Sequence, residues 1–256
     1  MLSCTAATDQ GRLRDGNEDA FVASPESGLF AVADGLGGHQ GGEVASQIAI
    51  ESLTAFIRTS SCDPTITWPD GFNPAISCES NQLQNATMLA HRRIRHEATR
   101  RPELDGMGTT LVAGLVRSAD RLTYISVGDS RLYRWRQGAL AQLSEDDTWI
   151  ASMLRAGMAP ESLRDHKMQH MLTKALGSVP VLELTPREVG IQPGDVFLMC
   201  SDGLYGPIGD DAIAAILDDK VGNLDAAGRA LIDAANDAGG PDNITVVLFR
   251  REPARV

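Results

Sequence analysis

The chain is predicted to be an α+β protein, with helices and sheets stacked in layers. Four apolar runs bounded by turn residues are typical of buried strands. Amphipathic stretches typical of helices are grouped between these runs. The expected order is strand, helix, helix, meander, irregular insert, strand, helices and strand. This grouping favours segregated helices and sheets over a regular alternation of single strands and helices.

An aspartate adjoins each of the four apolar runs, which span 29–33, 124–127, 196–201 and 244–249. The four aspartates are Asp34, Asp129, Asp202 and Asp242. One carboxylate at a strand end is ordinary turn chemistry. Four that converge at a shared sheet core repel one another unless a cation lies among them. The pattern therefore predicts a divalent metal site.

The remaining elements follow from periodicity and turn residues. A strand is expected at 20–23, and helices are expected from residue 43 and over 83–98, where apolar residues form one helical stripe. An antiparallel meander is expected over 109–143, with breaks at 118–120, 128–130 and 137–138. Two further helices are expected at 211–217 and 224–238. Segment 59–81, with three prolines, is expected to be a loop or insertion.

Composition excludes several classes of protein. The net charge of −11 argues against nucleic-acid binding, which requires a basic surface. No run approaches the ~18 apolar residues of a membrane span, and the N-terminus lacks a signal-peptide pattern. A cytoplasmic protein that contacts neither nucleic acid nor membrane is expected. At 256 residues, the chain is long enough to bury a substantial core.

The four cysteines show no Cys-x-x-Cys spacing. Unpaired thiols in a reducing compartment are therefore favoured. The alternative is a pair between Cys62 and Cys78, which flank the proline-rich part of segment 59–81.

The glycine-rich segment after Asp34 does not fit a nucleotide-binding loop. Gly35-Leu36-Gly37 begins the dinucleotide pattern, but Gln40 stands where the third glycine is required, and no Gly-Lys-Ser/Thr follows. By contrast, the polar turn at 14–19 suits a phosphate and a cation. Arg14 offers a planar fork for phosphate oxygens, and Glu18 and Asp19 can reach a hard cation or its waters.

Seven motifs follow one another along the chain. They are Arg14-x-x-Asn17-Glu18-Asp19, the segment 32–39 (Val-Ala-Asp-Gly-Leu-Gly-Gly-His), Gly108-Thr109-Thr110, the segment 127–131 (Val-Gly-Asp-Ser-Arg), the segment 172–177 (Leu-Thr-Lys-Ala-Leu-Gly), the segment 201–204 (Ser-Asp-Gly-Leu) and the segment 242–246 (Asp-Asn-Ile-Thr-Val). This series resembles that of the metal-dependent serine/threonine phosphatases of type 2C, in their compact bacterial form. The resemblance covers about residues 8–250.

The resemblance implies a fold. One catalytic domain over residues 1–256 would form a four-layer α-β-β-α sandwich of two antiparallel sheets flanked by helices. The metal cleft would lie at one edge of the sheets. A flap insert would span about residues 144–185.

The resemblance also implies roles for the metal ligands. Asp34 would bridge two Mn²⁺ or Mg²⁺ ions, with Asp202 and Asp242 completing the first site. Asp19 and the carbonyl of Gly35 would serve the second site, with Glu18 in or just outside its shell. Asp129, together with Asp202, would hold a third, weaker ion. Thr109 and Thr110 are expected to be packing residues.

The implied activity is hydrolysis of phosphoserine and phosphothreonine monoesters by a hydroxide that bridges the two ions, with Arg14 orienting the phosphoryl group. The implied partners are phosphorylated proteins and a cognate bacterial serine/threonine kinase whose signalling the enzyme would antagonise, with the protein acting as a monomer. A narrower role on one dedicated regulator is a related reading. The alternative is a catalytically silent pseudophosphatase that binds phosphoproteins.

Two departures from the family pattern bear on mechanism and flap. Leu36 stands where eukaryotic relatives carry the histidine proposed as general acid. His39 is the candidate in this chain, with a metal-bound water as its rival. Asp147 replaces the histidine of the bacterial Thr-x-Asp-His-Ser pattern, with an expected effect on substrate choice or flap motion.

Overall fold

The computed structural model describes residues 1–37, 40–60, 67–118, 120–163, 166–168 and 171–252. The strands in this part of the chain are β1 (Leu2–Asp9), β2 (Asp19–Ser24), β3 (Leu29–Leu36), β4 (Gly108–Thr109), β5 (Leu111–Leu115), β6 (Arg121–Val127), β7 (Arg131–Arg136), β8 (Ala139–Gln142), β9 (Arg187–Gly190), β10 (Val196–Cys200) and β11 (Ile244–Arg251). The helices are α1 (Gly41–Thr59), α2 (Cys78–Arg100), α3 (Trp149–Arg155), α4 (Asp202–Lys220) and α5 (Leu224–Asp237).

The strands form two antiparallel sheets. The first has the order β1-β11-β10-β7-β8, and the second has the order β2-β3-β5-β6-β9, with the short β4 paired to β3. Helices α1 and α2 pack against the outer face of the second sheet through the stripe predicted from Ala45, Ala49 and Leu53. Helices α4 and α5 pack against the outer face of the first sheet. The predicted α-β-β-α sandwich is confirmed.

A purely side-chain layer joins the two sheets. Phe30 of β3 stacks on Phe249 of β11 with ring centroids 4.1 Å apart and planes 2° apart, and Phe197 of β10 lies 5.2 Å from the same ring. All three rings are buried. Because the alternate residues of these strands face the helices, each strand is apolar on both faces, which explains the continuous apolar runs in the sequence.

The predicted meander is wrong at one position. Strands β5 and β6 belong to the second sheet, whereas β7 and β8 belong to the first. The chain crosses between the sheets at 128–130, which reads in sequence as an ordinary hairpin turn. This crossing carries Asp129 to the cleft edge of the sandwich.

Other differences concern edge strands and boundaries. The prediction missed β1 and β9, which lie at sheet edges and are mostly half-buried or exposed. Helix α1 begins two residues before the predicted start, at Gly41. Helix α2 begins at Cys78, where Ser77 caps it, so the expected loop 59–81 ends earlier than predicted.

The expectation that the thiols are unpaired is wrong for Cys78, which is disulfide-bonded. Cys4 and Cys200 are free, and Cys62 lies outside the described residues. In the described part of the chain, no helix has both the length and the apolar character needed to span a bilayer.

Candidate active site

The strand-end aspartates meet in one cleft at an edge of the sandwich. The cleft has a volume of about 290 Å³. Its lining includes seven of the predicted site residues, namely Arg14, Glu18, Asp34, Gly35, Asp129, Asp202 and Asp242. Asp19 adjoins them because it pairs with Asp34 across β2 and β3. The convergence predicted from the strand ends is therefore present.

One oxygen of Asp19 lacks a hydrogen-bond partner. Ser201 Oγ donates to Asp19 Oδ2 at 2.7 Å, but Oδ1 is buried and has no partner among the described residues. A buried, unpaired carboxylate oxygen is costly unless a proton or cation reaches it. Asp34 stands directly opposite, so the two acidic groups also repel each other.

Burial and mutual repulsion raise the pKa values of the clustered carboxyl groups. Burial, with Asp202 and Asp242 nearby, raises the pKa of Asp19 to about 7. Burial, followed by repulsion from Asp19 and Asp202, holds the pKa of Asp34 well above its usual value. Asp129 reaches a pKa of about 7, chiefly through burial and then through Asp202. A bound cation would reverse these shifts because it favours the ionised form.

Two threonine hydroxyls fix the backbone of Asp34. Thr109 Oγ1 donates to the Asp34 carbonyl oxygen at 2.8 Å, and Thr110 Oγ1 accepts from the Asp34 N–H at 3.0 Å. Thr110 Oγ1 also lies 2.7 Å from Ser130 Oγ. Both threonines are buried as expected. Packing alone does not describe them, because their hydroxyls hold the central aspartate in register with the segment that carries Asp129.

Asn243 organises the turn that carries Glu18. Its Nδ2 donates to the carbonyl oxygens of Gln10 and Gly16 at 2.9 and 2.8 Å, and its Oδ1 accepts from the Glu18 N–H at 2.9 Å. The Glu18 carbonyl oxygen in turn accepts from the Gly35 N–H at 3.2 Å. No role for Asn243 was predicted. Its only sequence signal is its place beside Asp242 before the last apolar run.

Close backbone approach brings Asp202 and Asp242 together. Helix α4 begins at Asp202, and a Cβ added to the next residue, Gly203, would overlap the carbonyl oxygen of Asn243. A side chain at position 203 would push the start of α4 away from the 242–243 turn. The glycine of the 201–204 motif is therefore a packing requirement of the cleft.

Arg14 is the cation at the rim. Its Nη2 donates to Asp242 Oδ2 at 2.6 Å, and its side chain is 54% exposed. Asp242 raises the pKa of the Arg14 guanidinium, mainly through this hydrogen bond. Arg14 therefore lines the cleft as a half-exposed cation held beside Asp242.

The donor set suits a hard cation. The side chains that face the cleft offer carboxylate oxygens, and Gly35 adds a carbonyl oxygen, which are the ligands Mg²⁺ and Mn²⁺ prefer. As they stand, no three His, Cys, Asp or Glu side chains among the described residues are drawn together tightly enough to enclose an ion. Repulsion opposes a closer approach, and Asp242 is turned to Arg14. His39 lies outside the described residues, so its role as general acid stays a prediction.

The flap is tied to this cleft at its base. Thr148 and Leu172 form a bridge between the outgoing and returning segments, and Leu172 lines the cleft. Asp147 reaches the turn before Asp129, since its N–H donates to the Gly128 carbonyl oxygen at 2.8 Å and its Oδ2 accepts from the Gly128 N–H at 3.3 Å. Asp147 also pairs with Lys174 at 3.3 Å.

Comparison with known proteins identifies the family. The sequence profile described as protein phosphatase 2C matches residues 11–233, which is most of the chain. The chain belongs to the protein phosphatase 2C family. The predicted resemblance is confirmed.

Relatives in several bacteria support this assignment. The chain is 35% identical over 250 residues to the serine/threonine protein phosphatase PstP of Mycobacterium tuberculosis, covering 97% of this chain and 45% of that protein. The chain thus spans less than half the length of that relative. It is 33% identical over 253 residues to the serine/threonine phosphatase stp of Listeria monocytogenes, covering 96% of this chain and 94% of that protein.

Solved structures of the family have the same fold. The crystal structure of the Mycobacterium tuberculosis phosphatase PstP/Ppp matches with a TM-score of 0.84 at 34% identity, covering 98% of this chain and 99% of that one. A structure of the PstP catalytic domain in complex with two manganese ions matches with a TM-score of 0.81 at 34% identity, covering 97% of each chain.

Proposed function

We propose that this chain is a metal-dependent protein phosphatase that hydrolyses phosphoserine and phosphothreonine monoesters. The observation that carries the proposal is the buried Oδ1 of Asp19, which has no hydrogen-bond partner among the described residues and adjoins Asp34 in an acidic cleft. A bound cation would give this oxygen the partner that it lacks. The rim cation Arg14 adds a site for the charged group of a phosphoester.

The ligand assignment follows the positions of the carboxylates. Asp34, at the centre of the cluster, would be shared by two ions. Asp202 and Asp242 would serve one ion, and Asp19, the Gly35 carbonyl and Glu18 would serve the other. Asp129 and Asp202 would form an outer position for a third ion. The two manganese ions of the PstP catalytic domain support a centre with at least two ions.

The proposed reaction needs a nucleophile, a group that binds the phosphoryl oxygens and a proton donor for the leaving oxygen. Mn²⁺ or Mg²⁺ bound by these carboxylates would supply a water of lowered pKa as the nucleophile and would offset the charge of the phosphoryl group. Arg14, which lies beside Asp242 at the rim, would bind and orient the phosphoryl oxygens. His39 is the candidate to protonate the leaving oxygen, and a water is its rival.

Partners and context follow from the chemistry and the relatives. Phosphorylated proteins would be the substrates, and a bacterial serine/threonine kinase would supply them. Residues 1–256 would form one catalytic domain that acts as a cytoplasmic monomer. The net charge of −11 supports the absence of a nucleic-acid partner.

The test is hydrolysis of a phosphothreonine peptide by purified protein in Mn²⁺, in EDTA and in the Asp202→Ala variant with Mn²⁺. The wild type is expected to turn over the peptide in Mn²⁺ and not in EDTA. In Mn²⁺, turnover by Asp202→Ala should be at least about a hundredfold lower than that of the wild type, because the variant lacks a metal ligand. The matched control is Asp211→Ala, which removes an exposed carboxylate from the same helix. It should keep wild-type turnover.

The alternative function is a phosphoprotein-binding pseudophosphatase. Tight Mn²⁺ binding without turnover of several phosphopeptides would support it and would overturn the proposed activity. Failure to bind Mn²⁺ at all would overturn the proposed activity, and binding of a phosphopeptide without Mn²⁺ would then support the pseudophosphatase.

A further inference from the structure

Arg131 and Tyr205 form a stacked pair beside the cleft, and neither has a role in the proposal above. The Arg131 guanidinium carbon lies 3.6 Å from the centroid of the Tyr205 ring. The Tyr205 hydroxyl donates to the carbonyl oxygen of Asp129 at 3.0 Å. Tyr205 lies in the first turn of α4, which begins at Asp202. The pair therefore joins the two segments that carry Asp129 and Asp202.

The guanidinium of this pair is fixed on its other side. Its Nη2 donates to Asp146 Oδ2 at 2.8 Å, and its Nε lies 3.2 Å from both oxygens of that carboxylate. Its Nη1 donates to the Tyr133 hydroxyl at 2.8 Å, and that hydroxyl donates to Asp210 Oδ1 at 2.7 Å. The side chains of Arg131 and Asp146 are only 19% and 16% exposed. A forked and stacked arginine of this kind has little freedom, so it holds the Tyr205 ring in one place.

The hydrogen bond from Tyr205 opposes a specific force. Asp129 and Asp202 are acidic groups of like charge that face one cleft, and their repulsion acts to separate the 128–130 turn from the start of α4. The hydroxyl of Tyr205 links that turn directly to α4. It does so through the backbone of Asp129 and leaves both Asp129 side-chain oxygens available.

We propose that Tyr205, held by Arg131, is a positioning residue that sets the affinity of the outer metal position formed by Asp129 and Asp202. The inference rests on the proposed function and deepens it. The inner positions depend less on this hydrogen bond, because they are built around Asp34 and the two threonine hydroxyls fix its backbone. The pair should therefore affect the outer ion most.

The deciding variant is Tyr205→Phe, which removes the hydroxyl and keeps the ring for Arg131. Its matched control is Tyr124→Phe. The Tyr124 hydroxyl also donates to a backbone carbonyl oxygen, that of Leu143, at the same 3.0 Å, and Tyr124 does not line the cleft. Mn²⁺ binding to the full chain is measured without substrate, by calorimetry and by the paramagnetic resonance signal of free Mn²⁺. Thermal unfolding in EDTA is recorded alongside.

Tyr205→Phe is expected to weaken the weakest of three Mn²⁺ positions by roughly five- to tenfold, the effect of one lost hydrogen bond, and to change the affinity of the tighter two by less than about twofold. Tyr124→Phe should bind Mn²⁺ as the wild type does. Equal binding by Tyr205→Phe and the wild type would overturn the inference, as would a wild type that holds only two ions. A uniform loss at all positions with a lower unfolding temperature in EDTA would show a general structural role and would also overturn it.

A second pair of variants tests the arginine. Arg131→Lys keeps the charge but loses the fork and the flat stack, so it should weaken the same outer position. Arg136→Lys is its control, because Arg136 forks onto buried Asp195 at the other end of β7, with Nε and Nη2 at 2.6 and 2.7 Å. Turnover of a phosphothreonine peptide by the wild type is scored separately. The proposed function fails if that turnover is absent, whereas the inference fails on the binding comparison.

Discussion

Ser201 Oγ donates a 2.7 Å hydrogen bond to Asp19 Oδ2 and so joins the end of β10 to the start of β2, which lie in different sheets. The Ser201 hydroxyl oxygen also accepts a hydrogen bond from the Thr245 N–H at 3.0 Å. The serine therefore fixes the Asp19 carboxylate with one oxygen satisfied. The other oxygen, Oδ1, is buried and has no hydrogen-bond partner among the described residues.

Replacing this serine should affect both stability and metal binding. Ser201→Ala removes a donor from a buried carboxylate, which is expected to lower the free energy of unfolding by about 1–3 kcal/mol and to weaken Mn²⁺ binding. Urea unfolding in EDTA and Mn²⁺ calorimetry measure the two effects. Ser46→Ala is the control, because Ser46 is equally buried but its hydroxyl donates to the Glu43 carbonyl oxygen of its own helix. Unchanged Mn²⁺ affinity in Ser201→Ala would contradict the prediction.

The metal-free protein should lose stability as the pH rises from 5 to 8. The pKa values of Asp19 and Asp129 in the folded protein are raised to about 7, above the value of about 3.9 in an unfolded chain, so the folded state binds protons more tightly. Their contribution is complete below about pH 4 and is lost as the pH passes 7. Mn²⁺ should remove this loss, because it binds the ionised carboxylates.

Unfolding temperatures in EDTA and in Mn²⁺ across this pH range measure the effect. Burial lowers the pKa of His91, so its contribution to stability changes with pH in the opposite direction. Asp19→Asn is therefore compared with the wild type, since His91 contributes equally to both. The variant should show a shallower fall in EDTA. Identical slopes would contradict the assignment to Asp19.

The ring stack between the sheets should dominate the stability of the core. Phe249→Ala removes the ring that contacts both Phe30 and Phe197, and a loss of about 3–5 kcal/mol in the free energy of unfolding is expected. Phe249→Leu should cost less because it leaves a smaller cavity. Urea unfolding in EDTA gives both values. Equal losses for the two variants would show that ring stacking, and not buried volume, is the main term.

Much of the fold and of the site can be predicted from the sequence, because the ends of buried strands can be recognised in it. An apolar run predicts a buried strand, and an acidic residue beside Gly, Ser or Asn marks where it ends. Four such ends, including those at Asp34 and Asp202, predict the shared cleft. Edge strands are less readable. In β1, Ala6 is small and half-buried and Thr8 is polar and exposed, so no strong apolar alternation appears.

The supporting polar residues could not be predicted. Ser201, Thr110 and Asn243 act through partners distant in the chain, and these residue types are also common in ordinary turns and strands. The crossing at 128–130 was unreadable for a similar reason, because a Gly-Asp-Ser turn does not indicate whether the next strand continues the same sheet. Trp135, next to two arginines, reads as part of an exposed strand but is buried at 8% exposure between β7 and the helices.

The aspartate that replaces the family histidine should act on the flap and not on the metals. Asp147 holds both the Gly128 N–H and Lys174, and its backbone carbonyl accepts from the Thr173 N–H at 2.7 Å. It therefore fixes the returning flap segment beside Leu172 in the cleft. Asp147→Asn keeps an acceptor for Gly128 but loses the charge that pairs with Lys174.

Because Lys174 is 45% exposed, this ion pair is screened and contributes less than about 1 kcal/mol. Asp147→Asn is expected to raise KM for a phosphopeptide severalfold and to leave turnover of a small aryl phosphate unchanged, since only the peptide is long enough to contact the flap. Lys174→Gln should give the same result, and added salt should raise the wild-type KM toward that of the variants. Steady-state kinetics on both substrates make the comparison. Equal losses on the two substrates would place the effect of Asp147 on the 128–130 turn and the metals instead of on the flap.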